Sequence, residues 1–284
     1  MILVTGATGM FGGRVARGLL RASQPVRALV RERSRGAELE AAGAELVVAD
    51  TDRPETLPRA LDGVKRVFLV SPMDGRIDVR ERAVTEAAEG AGVELVIKLY
   101  GAVKHRGDPL DRLHLASLQA LRDSGLRWAL LSANSVMETS LFGQIGAIKQ
   151  TGAMWGCAGT GKVGLIAAAA AAAAAVALLI AEPEAERSYE VTGPEALTMT
   201  DVADRLSRVL GREIAYNDLP EEEFREMLVQ QGMTSEQAEI GVIVHFRAWK
   251  RGDAELVTNT VGELTGRPPL RLDEWLRQHQ AAFV

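Results

Sequence analysis

The chain has 284 residues, enough for two domains or for one α/β domain with an appended lobe. Hydrophobic residues make up 47% and charged residues 25%, which excludes disorder, collagen-like repeats and a disulfide scaffold. A net charge of −5 and a single cysteine, Cys157, exclude a nucleic-acid or anionic-membrane footprint, an internal disulfide and a cysteine-built metal site.

A reducing cytoplasm is the expected setting. The N-terminus runs straight from Met1 into Ile2-Leu3-Val4 without a basic leader, as expected of a mature protein. Through residue 132, short apolar runs alternate with helical spacings. Strands are predicted at Ile2–Thr5, Val26–Val30, Leu46–Ala49, Val67–Val70, Leu95–Leu99 and Trp128–Ser132. Continuous apolarity is what parallel strands buried on both faces require. Helices are predicted at Gly12–Ala22, Pro54–Leu61, Asp78–Ala91 and Leu110–Ser124, with Gly63, Gly92 and Gly125 placed to end them with positive φ. The alternation predicts right-handed βαβ crossovers. The fold class is therefore α/β, a doubly wound Rossmann-type parallel sheet, with a dinucleotide-binding domain over residues 1–150.

Beyond it, Val136–Gln150 reads as a helix and Val163–Ile166 as a strand. From Val163 to Ala181 there are 19 uncharged residues, including nine consecutive alanines from Ala167 to Ala175. Alanine is nearly neutral for membrane insertion and the flanks lack Trp or Tyr anchors, so a packed small-residue helix is expected rather than a span. A last strand is predicted at Tyr189–Thr192, then helices at Met199–Leu210, Glu221–Gln231, Ser235–Lys250 and Leu272–His279. Residues 151–284 thus supply the remaining sheet elements and a smaller, mainly helical C-terminal lobe. Such a lobe is expected on the substrate side, at the carboxyl ends of the strands.

The densest chemical signal is Gly6-Ala7-Thr8-Gly9-Met10-Phe11-Gly12, directly after the first strand and opening a helix. Glycines three apart permit a tight turn, close approach of a pyrophosphate and close helix–strand packing. The helix N-terminus meets the phosphates with unpaired N–H groups and its positive dipole end. A reader of the ribose 2′-hydroxyl would be an acid at the end of the second strand, but the chain there reads Arg31-Glu32-Arg33. Guanidinium forks suit a 2′-phosphate, so NADP is expected over NAD, which stays possible through Glu32. Asp50 is placed to accept from the adenine amino group or to cap the next helix. Ser71, ahead of Pro72, is placed beside the cofactor ribose.

Taken with Val26–Arg31, Asp123–Trp128, Leu264–Pro269 and Tyr189–Thr198, the loop resembles the NmrA-like family of atypical short-chain dehydrogenases/reductases. The resemblance spans nearly the whole chain. It implies kinship with NAD(P)H-dependent quinone, azo-dye and triphenylmethane reductases, and with a co-regulator that binds dinucleotide without known turnover. Departures from the family's wider pattern are as informative. The usual serine after the fifth strand is Tyr100, and the Tyr-x-x-x-Lys positions are Leu110 and His114. Relatives that place a histidine here carry a glutamate four residues on, where this chain has Leu118. His114 and Tyr100 are therefore the candidate catalytic residues, the first for proton handling and the second as phenol donor or nicotinamide wall. The resemblance puts Asn134 and Met137 at the nicotinamide end. Relatives carry aspartates near Ala167 and Ala170. The stripe Met227, Met233, His245, Phe246 and Trp249 suits a substrate pocket or core. The expected function is reduction of a small conjugated molecule, such as a quinone or polyketide-type ring, by a protein that could assemble as a homo-oligomer. The rival is a dinucleotide sensor without turnover, and a third class is isomerase or cyclase chemistry without hydride.

Overall fold

The computed structural model describes residues 1–284. In chain order its first elements are β1 (Ile2–Val4), α1 (Met10–Arg21), β2 (Val26–Val30), α2 (Ala37–Ala41), β3 (Glu45–Val48), α3 (Leu57–Leu61), β4 (Arg66–Leu69), α4 (Ile77–Gly90), β5 (Leu95–Gly101), α5 (Pro109–Asp123) and β6 (Trp128–Ala133). Then follow α6 (Met137–Phe142), α7 (Ile145–Thr151), β7 (Ala153–Gly156), α8 (Ala168–Ile180), β8 (Ser188–Val191), α9 (Met199–Leu210), β9 (Ala215–Asp218), α10 (Glu221–Gln230), α11 (Ser235–Ala238), α12 (Val244–Lys250), α13 (Thr260–Thr265) and α14 (Leu272–His279). A single seven-stranded sheet runs in the order β3-β2-β1-β4-β5-β6-β8. From β3 to β5 every neighbouring pair is parallel. The chain doubles back at β1, so the strand order reverses between β1 and β4, the place where such sheets bind ligands. This is the α/β Rossmann-type architecture the alternation predicts.

The chain folds into two compact units. One comprises residues 1–100, 112–132 and 171–189, the other residues 101–111, 133–170 and 190–284. A single cut at residue 150 does not describe this division. The chain returns to the first unit with most of α8 and the start of β8, because these complete the sheet. The first unit's core gathers Leu3, Leu29, Leu61, Val67, Leu69, Val96, Leu121 and Trp128 from strands and helices alike. Here α1 and α8 approach closely: a Cβ added to Gly18 would lie 2.8 Å from Val176 Cγ2. The alanine-rich helix does what small residues allow, and Ala171, Ala172, Ala174 and Ala175 are buried. No helix is long and apolar enough to cross a membrane.

The second unit is mainly helical around an aromatic core of Phe224, Phe246, Trp249, Trp275 and Phe283. It also holds a two-stranded parallel sheet, β7 with β9, which local sequence does not reveal. Val163–Ile166 forms no strand and makes only isolated bridges, Val136 with Ile166 and Val163 with Leu197. The predicted helix 136–150 is broken between α6 and α7. Ser235–Lys250 contains a π-turn stretch, Glu239–Ile243, between α11 and α12. Gly63 and Gly92 have φ of +67° and +69° as expected, but Gly125 does not have positive φ and instead donates its N–H to Glu89 Oε1 at 2.8 Å.

Candidate functional site

The residues predicted to hold the cofactor in the first unit follow the carboxyl ends of parallel strands. After β1, Gly6 takes φ +55°, which favours glycine, and a Cβ there would lie 3.0 Å from Val70 Cγ1. Gly12 is tighter: its missing Cβ would lie 2.2 Å from Gly6 O and 2.7 Å from Thr5 O. Gly9 is the N-cap of α1 in extended geometry, and a methyl added there would meet only Gly6 O, 3.2 Å away. The first intrahelical bond runs from Gly13 N–H to Gly9 O, which leaves the Met10, Phe11 and Gly12 amides as the helix's unpaired donors. No acidic residue lies in this first turn and no side chain caps it. Gly6, Thr8 and Gly9 are exposed or lie at the surface of the loop, Met10 and Phe11 are half-buried, and Ala7 packs into the core. An uncapped, acid-free helix N-terminus behind accessible glycines suits an anionic diphosphate.

Thr5, which the glycine pattern alone does not single out, fixes this loop. Its hydroxyl donates to Val70 O at 2.8 Å, and the Val70 N–H donates back to Thr5 Oγ1, tying β1 to β4 where the strand order reverses. Arg31, at the end of β2, is exposed and makes no hydrogen bond or ion pair. Arg33 is different: it is ion-paired with Glu40, so the fork expected of it is already engaged. Arg31 alone of this pair is free to meet a 2′-phosphate. Asp50 Oδ1 accepts the Asp52 N–H at 3.0 Å, a local turn that commits one carboxylate oxygen. The Ser71 hydroxyl oxygen is buried without a hydrogen-bond partner. Arg80 on α4 braces both loops, binding Asp52 and Asp74 through bonds of 2.8–2.9 Å. Arg80's hydrogen bond holds the Asp52 carboxyl below its ordinary range, against the opposing effect of burial.

Tyr100 near the end of β5 and His114 on α5 come together, their ring centroids 5.0 Å apart and tilted by 55°. The run Leu95–Leu99 is not uniformly apolar. Lys98, fully buried, is ion-paired with the buried Glu81 of α4, which also accepts the Ser117 hydroxyl of α5. A lysine in a strand buried on both faces was the signal for this cluster.

In the second unit, Asn134 and Met137 are held by bonds within the unit. Asn134 is 2% exposed, and its amide donates to Ala254 O at 3.0 Å while its Oδ1 accepts the Ser135 N–H at 2.7 Å. The Met137 side chain is in the core, and its N–H donates to Ile166 O at 2.9 Å. Both were expected at the nicotinamide end; the bonds they make here are to partners in their own unit. Glu138 accepts the Ala168 N–H at 2.9 Å and so caps α8 from another helix. Of the proposed stripe, Phe246 and Trp249 are core residues, and Trp249 Nε1 donates to Ser135 Oγ at 2.9 Å. Burial pushes the Cys157 thiol up to about 12, leaving it inert.

A parallel sheet whose first strand feeds a glycine loop and an open helix N-terminus, at the point where strand order reverses, defines a dinucleotide-binding Rossmann protein. The chain belongs to the NmrA-like family, whose model matches residues 1–104. It is 34% identical to the NAD(P)H azoreductase of Xenophilus azovorans, across 100% of this chain and 99% of that one. It is 31% identical to quinone oxidoreductase 2 of Escherichia coli, covering 96% of each. The solved structure of the Escherichia coli NADPH-dependent quinone oxidoreductase complexed with NADPH matches with a TM-score of 0.91 at 28% identity, covering 99% of this chain and 100% of that one. Within this family the chain is an NAD(P)H-dependent oxidoreductase.

Proposed function

We propose that this chain reduces a small conjugated carbonyl compound of the quinone class with NADPH. Support comes from the relatives, named as azo and quinone reductases, and from the site residues. In this reading the Gly6–Phe11 loop holds the pyrophosphate, Arg31 the 2′-phosphate, Asp50 the adenine end and Ser71 a ribose hydroxyl. Bound NADPH supplies a hydride from its nicotinamide ring. Tyr100 and His114 stand at the reacting end, where a phenol and an imidazole donate hydrogen bonds to the oxygen that gains charge. The observation that carries the reading is their contact at the end of β5, in the unit that also holds the phosphate loop.

The absent Tyr-x-x-x-Lys pair selects the substrate class. A simple ketone becomes a strongly basic alkoxide on hydride addition and needs a strong acid aligned at that moment. A quinone becomes a stabilised hydroquinone anion, which solvent or His114 can protonate afterwards. The test is a substrate panel followed through NADPH consumption with oxygen excluded. A benzoquinone should be reduced and a saturated ketone should not. Reduction of the ketone with no action on quinones would overturn the assignment.

A further inference from the structure

The buried charges around Lys98 form a closed circuit with the Tyr100–His114 pair. Lys98 and Tyr100, two apart on β5, share one face of the strand. His114 and Ser117, three apart on α5, share one face of the helix. The Lys98 ammonium, fully buried, lies 5.8 Å from the centroid of the Tyr100 ring. It is ion-paired with Glu81, and Glu81 also holds the Ser117 hydroxyl. The circuit closes from α4 through β5 to Tyr100, across the 5.0 Å ring contact to His114, and down α5 to Ser117. An ammonium within about 6 Å of an aromatic face attracts it, and the attraction grows when water is excluded. Turning the Tyr100 ring away would cost that buried ammonium its aromatic contact.

We propose that Lys98, anchored by Glu81 and Ser117, is a positioning residue that fixes the Tyr100 ring against His114. The inference rests on the reading of Tyr100 and His114 as the reacting-end groups. It assigns Lys98 an action through Tyr100 and no contact with substrate. Here the ammonium meets the Tyr100 ring from the strand side, whereas the pattern absent here places a lysine on the helix.

The test replaces the pair by neutral groups of similar shape, Lys98→Met with Glu81→Gln, so that neither charge is left alone in the core. Replacing both members of a buried ion pair is tolerated far better than removing one. The first readout is the His114 ring-proton resonance, taken from the high-pH plateau of its titration; only four histidines must be assigned. Tyr100 shields or deshields that proton through its ring current, so the folded double variant should show a displaced His114 resonance. The second readout is turnover: kcat should fall by about 10- to 100-fold with the KM for NADPH unchanged, as for a misplaced reacting group. In a Tyr100→Ala background the same double change should cost nothing further. Should the double variant not fold, Ser117→Ala loosens the circuit by one hydroxyl and should displace the resonance in the same direction, by less. An unmoved His114 resonance in a folded variant overturns the proposal, and so does an equal kcat loss in the Tyr100→Ala background. If the resonance moves but neither Tyr100→Ala nor His114→Ala alters turnover, the positioning role stands and the catalytic reading of that pair fails.

Discussion

Gly12 is where helix propensity and close packing make opposite predictions. It lies inside α1, where alanine in place of glycine ordinarily stabilises by about 1 kcal/mol. Its added methyl, however, would sit 2.2 Å from Gly6 O, 2.5 Å from Gly6 C and 2.7 Å from Thr5 O. All three are main-chain atoms of the loop that Thr5 pins to β4, so none can swing aside as a side-chain tip could. Overpacking of this kind costs ~3 kcal/mol, at the upper end of its usual range. The net effect of Gly12→Ala is thus about 2 kcal/mol of destabilisation, or a Tm lower by about 4–8 °C. Gly146 on α7 has nothing within 4 Å of its would-be Cβ, so Gly146→Ala supplies the control and should stabilise by about 0.5–1 kcal/mol. Urea unfolding followed by tryptophan fluorescence measures both. A Gly12→Ala protein as stable as the unmodified chain would refute the packing argument.

Arg31→Ala should remove most of the preference for NADPH over NADH. A shielded Arg–phosphate contact is worth ~1.5–3 kcal/mol, so the NADPH Kd should rise about 10- to 150-fold while that for NADH stays put, as read by cofactor fluorescence. His114→Ala should lower quinone turnover roughly 100-fold, as for one lost hydrogen-bond donor to the oxygen that gains charge, with NADPH affinity retained; unchanged kcat per folded molecule would remove His114 from the reaction. The His245 ring packs edge-on against His105, and burial first, then His105, depresses its pKa to about 3. A depressed histidine is neutral in the folded chain and takes up a proton on unfolding, so its contribution is fully present above about 6.5 and is lost as pH falls toward about 3. Tm should therefore drop across that window, and His245→Phe should flatten the decline. An equally steep decline in the variant would sink this assignment.

Locally determined features were legible in the residues. Val26–Val30, Met199–Leu210 and Leu272–His279 have the bounds their periodicity implies, and α9 begins at a reciprocal Thr198–Asp201 cap that four residues suffice to specify. The glycine loop was legible for the same reason, since Gly6 answers a local turn of positive φ and Gly9 and Gly12 answer the backbone of residues 5 and 6. Features that depend on distant partners were not. The strands β7 and β9 are four residues each and find each other across the chain, so neither carries a signal alone. Asn134 was placed at the nicotinamide end by resemblance, and its bond to Ala254 O was not legible because that partner lies 120 residues away. Arg33 looked as available as Arg31 until the fold of α2 brought Glu40 to it. Lys98 was the one missed element that left a local trace, a charge in a strand otherwise fit for burial on both faces.

The central claim is that NADPH held by the Gly6–Phe11 loop is oxidised by a quinone on this protein. The most direct measurement is the oxygen-free loss of NADPH absorbance with a benzoquinone, run in parallel on the unmodified chain and on Gly9→Val. Gly9 has extended backbone geometry that valine accepts, and a Cβ there meets only Gly6 O, at 3.2 Å, against 2.2 Å for the same atom at Gly12. A branched side chain at the N-cap would instead crowd the approach of the pyrophosphate to the unpaired helix amides. The account predicts saturable consumption, one NADPH per quinone, by the unmodified chain, and neither NADPH binding nor consumption by a Gly9→Val protein that is shown to be folded at the assay temperature. Tight NADPH binding by the unmodified chain with no consumption across the quinone panel, or full activity in Gly9→Val, would contradict it.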